Sequence, residues 1–230
     1  MITTTTQTIW LSATKINLFL ECQKCFWLQM VHRINRPGGI FPGILSAMDL
    51  VLKDMYDNYR KEGTMPEEIL SKSYKLFDDP FYLDQWRSFS DGGIRYNNKE
   101  ENFIFMGMID DLSIDSNSEL LIPFDFKTAK AAPTEIHKSF RVQLACYAYL
   151  LQKNGFQVSD YGLLSYHWPI SAKYSNNIEF GNELVKVENI RIDSVEKTIS
   201  NALKVARSAI APSAGADCQF CEYKDKGKLE

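Results

Sequence analysis

Two carboxylates and an amine lie mid-chain with a spacing that chemistry can use. Asp125 and Lys127 are two residues apart in Leu120–Lys127, a predicted strand, so both side chains leave the same face. Asp110 lies near the middle of the preceding strand candidate, Phe103–Ile114, after Gly107. Between the two strands, Asp115-Ser116-Asn117-Ser118 has turn chemistry, which predicts a hairpin that carries Asp110 to Asp125. Converging carboxylates repel unless a cation sits between them, and hard oxygen ligands favour Mg²⁺ or Mn²⁺. Such an ion clamps a phosphate oxygen, lowers the pKa of a bound water and stabilises a leaving oxygen. Lys127 would orient that water and offset the charge that develops.

Two further groups are placed to assist. Gln143 and Tyr147 are four apart on a predicted helix and share a face from which they could orient the lysine, the water or a nucleic-acid backbone. Leu45, Leu52, Tyr56 and Tyr59 make an apolar helical stripe that Asp49 interrupts. A charge inside such a stripe is costly unless paired or metal-bound, so Asp49 is a third candidate metal ligand. Each piece also has a plain structural reading. A D-x-K on a strand is common as solvated charge, Gln143 with Tyr147 can be helix surface, and Asp49 can pair with Lys53 one turn later. Their order along one chain is harder to dismiss.

The cysteines form a separate constellation. Cys22 and Cys25 make one C-x-x-C, Cys218 and Cys221 another, while Cys146 reads as a small buried apolar residue. In a reducing compartment two such pairs are first of all metal ligands, and joining them would tie the chain ends together. Four thiolates suit a [4Fe–4S] cluster or structural Zn²⁺, and two C-x-x-C pairs by themselves lean towards zinc. His32, His137 and His167 have no convincing catalytic company and read as structural.

Length and composition frame these sites. The 230 residues suit one sizeable core, 1–230, with an N-terminal helical region over 11–36 and a cysteine tail over 212–230. Hydrophobic residues at 45% and charged residues at 24% are ordinary for a globular protein. No apolar run is long enough to span a membrane, and Met1–Trp10 lacks a secretion layout, so a cytoplasmic protein is expected. A net charge of −3 does not advertise a nucleic-acid binder. Any phosphate contact must come from local groups: Lys15, Lys24, His32, Arg33 and Arg36, or Lys127, Lys130, Lys138 and Arg141.

Helices are predicted from Ser12 or Thr14 to about His32, over Gly43–Tyr59, Pro66–Phe77, Glu135–Lys153 and Ser194–Ile210. The segment Arg36-Pro37-Gly38-Gly39 breaks the first. Pro80–Asn98 reads as an irregular connection with one short strand. Further strands are expected near Tyr161–Trp168 and Ile178–Arg191.

With these motifs assembled, the chain resembles the PD-(D/E)XK nuclease superfamily, in particular its RecB-like branch, which includes CRISPR-associated exonucleases. The resemblance rests on Gly107-Met108-Ile109-Asp110, Asp125-Phe126-Lys127-Thr128, Gln143 with Tyr147, and the opening Leu11 to Phe26 with Cys22. It covers about residues 11 to 223. It implies an α/β (α+β) fold with a restriction-endonuclease-like core, a central mixed β-sheet flanked by helices, and a cysteine-ligated metal staple joining the ends. It also implies metal-dependent phosphodiester hydrolysis of DNA, with exonuclease action at ends or single strands and protein partners in DNA repair or CRISPR-type systems. Asp110 and Asp125 would bind metal, Lys127 would be the catalytic lysine, and Gln143 and Tyr147 the helix motif. The chain departs from that branch twice. Asp49 stands where a histidine ligand is usual, and the cysteines divide two and two where the iron–sulfur form has one and three. Phe26, Trp27 and Arg33 could guide a strand by stacking and charge. The competing readings are a non-catalytic nucleic-acid-binding or assembly protein of the same fold, and a zinc-stapled structural protein.

Overall fold

Ser12 opens the first helix: its hydroxyl accepts the Lys15 N–H at 3.4 Å and so satisfies one of the donors that a helix start leaves free. The computed structural model describes residues 7–38, 43–88, 90–172 and 178–226. Gly39 of the expected break, the first six residues and the tail after position 226 lie outside them. A short strand β1 (Ile9–Ser12) leads into α1 (Ala13–Glu21) and α2 (Gln23–His32). A single helix was the expectation here, and Cys22 divides it. Its extended backbone (φ −156°, ψ 107°) ends α1, while its thiol accepts the Cys25 N–H at 3.5 Å and caps α2.

Next come α3 (Gly43–Glu62), α4 (Glu67–Leu70), β2 (Tyr74–Leu76), α5 (Pro80–Arg87) and β3 (Ile94–Asn98). The helix expected over Pro66–Phe77 is therefore one turn followed by a strand, because Tyr74–Leu76 pair with Asp115–Ser113 and tertiary pairing overrides local preference. The segment read as irregular holds a helix. Asp79 caps it, accepting the Phe81 and Tyr82 N–H groups at 3.1 and 3.4 Å, and Pro80 occupies its first position.

The chain continues through β4 (Phe103–Gly107), β5 (Asp111–Asp115), β6 (Leu121–Thr128), α6 (Lys138–Lys153), β7 (Gly162–Ala172), β8 (Ile178–Val187), α7 (Ile192–Ala206) and α8 (Gln219–Lys226). The strand expected over Phe103–Ile114 is two strands in two sheets. One sheet has the order β1-β4-β3, the other β2-β5-β6-β7-β8. Both are mixed: β1 runs parallel to β4, and β6 parallel to β7 across the α6 connection, while the remaining pairs are antiparallel. Asp110 falls in the link between the sheets.

Alternation along β6 sorts the core. Ile122, Phe124 and Phe126 pack with Leu52 and Tyr56 of α3, whereas Leu121 joins the larger core of α1, α6, α7 and the three-stranded sheet. Asp125 and Lys127 have the parity of Leu121, so they face α6. No helix among the described residues is long and apolar enough to cross a membrane.

Candidate active site and cysteine cluster

The antiparallel pairing of β5 with β6 matches Asp111 to Phe124, which leaves Asp110 just beyond the ladder beside Asp125. Asp110 Oδ2 accepts the Phe126 N–H at 3.3 Å. Asp125 is 1% exposed. Its Oδ2 is buried without a hydrogen bond of good geometry, and the Lys127 ammonium lies against it. Burial, and then the like charge of Asp110, outweigh Lys127 and push the Asp125 carboxyl up to about 8.

Lys127 is held from α6. Its Nζ donates to Gln143 Oε1 at 3.1 Å and lies 4.6 Å from the Phe140 ring centroid, and Gln143 Nε2 donates to the Tyr147 hydroxyl at 2.8 Å. The expected Gln143–Tyr147 pair thus reaches the D-x-K lysine as a relay. Tyr147 is buried, and burial with the nearby Asp125 and Asp110 charges keeps its phenol protonated. Gly107 permits this packing: a Cβ there would lie 3.0 Å from Leu150 and 3.1 Å from the Tyr147 ring.

Asp49 enters through an intermediary. Lys53 Nζ bridges Asp49 Oδ2 at 2.7 Å and Asp110 Oδ1 at 2.8 Å. Burial opposes the Lys53 charge, but Asp110 and Asp49 outweigh it and raise its pKa. Sequence reading had Lys53 only as a surface partner of Asp49 and missed its contact with Asp110, which depends on α3 crossing the sheet. As donors, Asp110 and Asp125 fit a hard divalent ion. Two adjacent carboxylates, one of them forced towards neutrality, are relieved by a cation shared between them.

A second charge cluster, absent from the sequence reading, lies on the other face. Asp111 is fully buried. Arg60 contacts its Oδ1, and Arg87 Nη2 donates to its Oδ2 at 2.9 Å. Both arginines also bind Asp57, at 2.8 Å each. Arg87 Nε donates to the Asp110 carbonyl at 2.7 Å, and Arg60 Nε to the Phe77 carbonyl at 2.7 Å. The quartet therefore grips the backbone that presents Asp110.

At the far end of α1, the four cysteines Cys22, Cys25, Cys218 and Cys221 are buried and their sulfurs all lie within 4.8 Å of one another. Among the described residues they form the one group of three or more His, Cys, Asp or Glu side chains that could hold a metal ion. Cys146 is buried in α6 away from them, and burial pushes its thiol pKa up. The histidines have structural contacts. His137 caps α6 by accepting the Ser139 N–H at 3.2 Å, buried His167 meets Ser165 Oγ at 2.9 Å, and the His32 ring packs on Trp27. The proposed stacking role of Phe26 and Trp27 fails: they are 0% and 8% exposed, and Trp27 Nε1 is bonded to the Ser208 carbonyl at 2.8 Å. Hydrophobic burial claimed rings that composition alone could not place.

Comparison with known proteins supplies a family. The model of the PD-(D/E)XK nuclease superfamily matches residues 10–225. No curated protein matches the sequence. Among solved structures, that described as "Crystal structure of SSO0001" is similar at 11% identity and a TM-score of 0.44, over 96% of this chain and 86% of that one.

Proposed function

The chain belongs to the PD-(D/E)XK nuclease superfamily, and on that premise we propose that it is a divalent-metal-dependent nuclease. One observation carries the reading: Asp110 and Asp125 converge from two elements, with Lys127 against the buried oxygen of Asp125. Asp110 and Asp125 would hold Mg²⁺ or Mn²⁺. When bound, the ion supplies Lewis acidity toward a phosphate oxygen and acidifies water. The rest falls to the chain. Gln143 aims the Lys127 ammonium, and Tyr147 fixes Gln143, so the positive charge stands ready where negative charge builds on the phosphate. Burial of Asp125 excludes water from one side of the site and strengthens these interactions. Asp49 acts through Lys53, holding a second ammonium on Asp110.

The substrate proposed is DNA, attacked at ends or in single strands, by the RecB-like resemblance. Lys130, Lys138 and Arg141 are exposed and offer charge to a phosphate backbone. Partners in DNA repair or CRISPR-type systems belong to the same reading. The test uses end-labelled linear and circular substrates, single- and double-stranded DNA and RNA, with Mn²⁺ and with chelator. Mn²⁺-dependent release of mononucleotides or short oligonucleotides from linear DNA supports the reading. Equal, metal-indifferent behaviour of wild type and Asp125→Asn refutes it.

One observation favours a second reading. Lys53 and Lys127 already stand against the two carboxyl groups, as they would in a chain that binds nucleic acid without cutting it. Binding of labelled DNA with no cleavage under any divalent ion would select that alternative.

A further inference from the structure

Sulfur spacing distinguishes the metals that four cysteines can hold. Three of the six Sγ–Sγ distances are 3.8 Å for Cys22–Cys221 and 3.6 Å for both Cys25–Cys218 and Cys25–Cys221, and none of the six exceeds 4.8 Å. Four sulfurs bound tetrahedrally to one ion at about 2.3 Å stand about 3.8 Å apart. A [4Fe–4S] cluster gives each thiolate its own iron, which sets the ligating sulfurs roughly 6 Å apart. We propose that Cys22, Cys25, Cys218 and Cys221 hold a single tetrahedral Zn²⁺, and that the site is too narrow for an iron–sulfur cubane.

The surrounding backbone keeps the site narrow. Gly215 N–H donates to Cys22 Sγ at 3.2 Å, and a Cβ on Gly215 would lie 2.6 Å from the Glu21 carbonyl oxygen. The C-terminal segment is thus seated directly on the end of α1, and spreading the sulfurs would break this contact. On each side the pairs are set by local geometry: Cys25 N–H donates to Cys22 Sγ at 3.5 Å, and Cys221 N–H to the Cys218 carbonyl at 3.0 Å. Four thiolates around Zn²⁺ leave two negative charges. Arg36 answers part of that excess, with Nη2 3.4 Å from Cys218 Sγ and its cation 4.5 Å from the Phe220 ring centroid. The four cysteines are 1 to 6% exposed, as suits a closed structural site with no open coordination position.

The whole chain, purified anaerobically and again in air, should contain one zinc and no acid-labile sulfide, and be colourless. Replacing zinc by Co²⁺ should give the visible absorption of a tetrahedral tetrathiolate, and Cys25→Ser should lower the zinc content or prevent folding. Four irons with four sulfides in the anaerobic preparation overturn the proposal, as does one iron without sulfide, or no metal in a folded chain. These readouts need no substrate. An inactive chain with one zinc sinks the nuclease reading and leaves this one standing, and an active chain with a cubane does the reverse.

Discussion

Asp110 and Asp111 are consecutive, yet they serve two charge clusters of opposite character. Each cluster sets acids against two basic groups: Asp110, Asp125 and the outlying Asp49 with Lys53 and Lys127, and Asp57 and Asp111 with Arg60 and Arg87. In the second, planar guanidiniums bridge both carboxylates, and the spare Nε–H groups reach the carbonyls of Phe77 and Asp110. In the first, each ammonium is a point charge, the acids repel, and a buried oxygen of Asp125 has no well-formed hydrogen bond. A satisfied cluster holds shape, and a frustrated one is ready for a ligand. The difference teaches that buried charge takes two forms, one fully paired and one left with an unpartnered oxygen at Asp125.

The comparison breaks most visibly at Asp111. Asp111→Ala leaves the buried guanidiniums of Arg60 and Arg87 to share Asp57 as their one carboxylate, one positive charge in excess, a loss of about 3–5 kcal/mol. Urea unfolding should show that loss, and cleavage should fall with it because Arg87 no longer fixes the Asp110 carbonyl. A stability within error of wild type would make the quartet ornamental. Asp125→Asn should do the opposite. Weakening the proposed metal site forfeits several kcal/mol of transition-state stabilisation, a rate loss of more than about a hundredfold. Its melting temperature should hold or rise, since the amide carries no buried charge. Single-turnover cleavage with Mn²⁺, read beside thermal melting, separates the two variants. A smaller effect is expected one contact further out. Gln143→Ala removes a single hydrogen bond to the Lys127 ammonium and should slow turnover by roughly tenfold, with DNA affinity unchanged. A drop in affinity instead would move Gln143 from positioning Lys127 to holding the backbone.

The two clusters were unequally legible in the sequence. Asp125 and Lys127 share a face because a strand has a period of two, and the turn after Asp115 fixed the hairpin; both are local rules. Asp110 could be found by type and order, but its exit from the strand could not, since the break between β4 and β5 reflects the pairing of β4 with β1 and β3. The arginine quartet was invisible. Its members come from α3, α5 and β5, and no spacing rule links residues 57, 60, 87 and 111 before the helices dock. Gln143 and Tyr147 were legible as a helical pair, whereas Lys53 was read only through Asp49. The C-x-x-C pairs were plain, but the break that Cys22 makes between α1 and α2 was masked by a continuous apolar pattern.

The finest discrimination comes from pH in the metal-free protein. Asp125 titrates near 8 when folded, well above the 3.8 of the free side chain. A group whose pKa rises on folding binds its proton more tightly in the native state, so its contribution is complete below the unfolded value and is lost as pH climbs through the folded one. With chelator present, this group's contribution to melting temperature should therefore decline between about pH 4 and pH 8. A fall in melting temperature as pH rises across that range is the expected result. Asp125→Asn should flatten that part of the curve. Mn²⁺ should reverse it, because the ion competes with the proton for the same oxygens and gains affinity as the carboxylate ionises. The Asp57–Arg60–Arg87–Asp111 quartet offers the ion no free oxygen, so Asp111→Asn should keep the Mn²⁺ response even while lowering the whole curve. If Mn²⁺ moved the melting of Asp125→Asn as much as that of wild type, the ion would be binding elsewhere, and the contrast between an open cluster and a closed one would lose its chemical meaning.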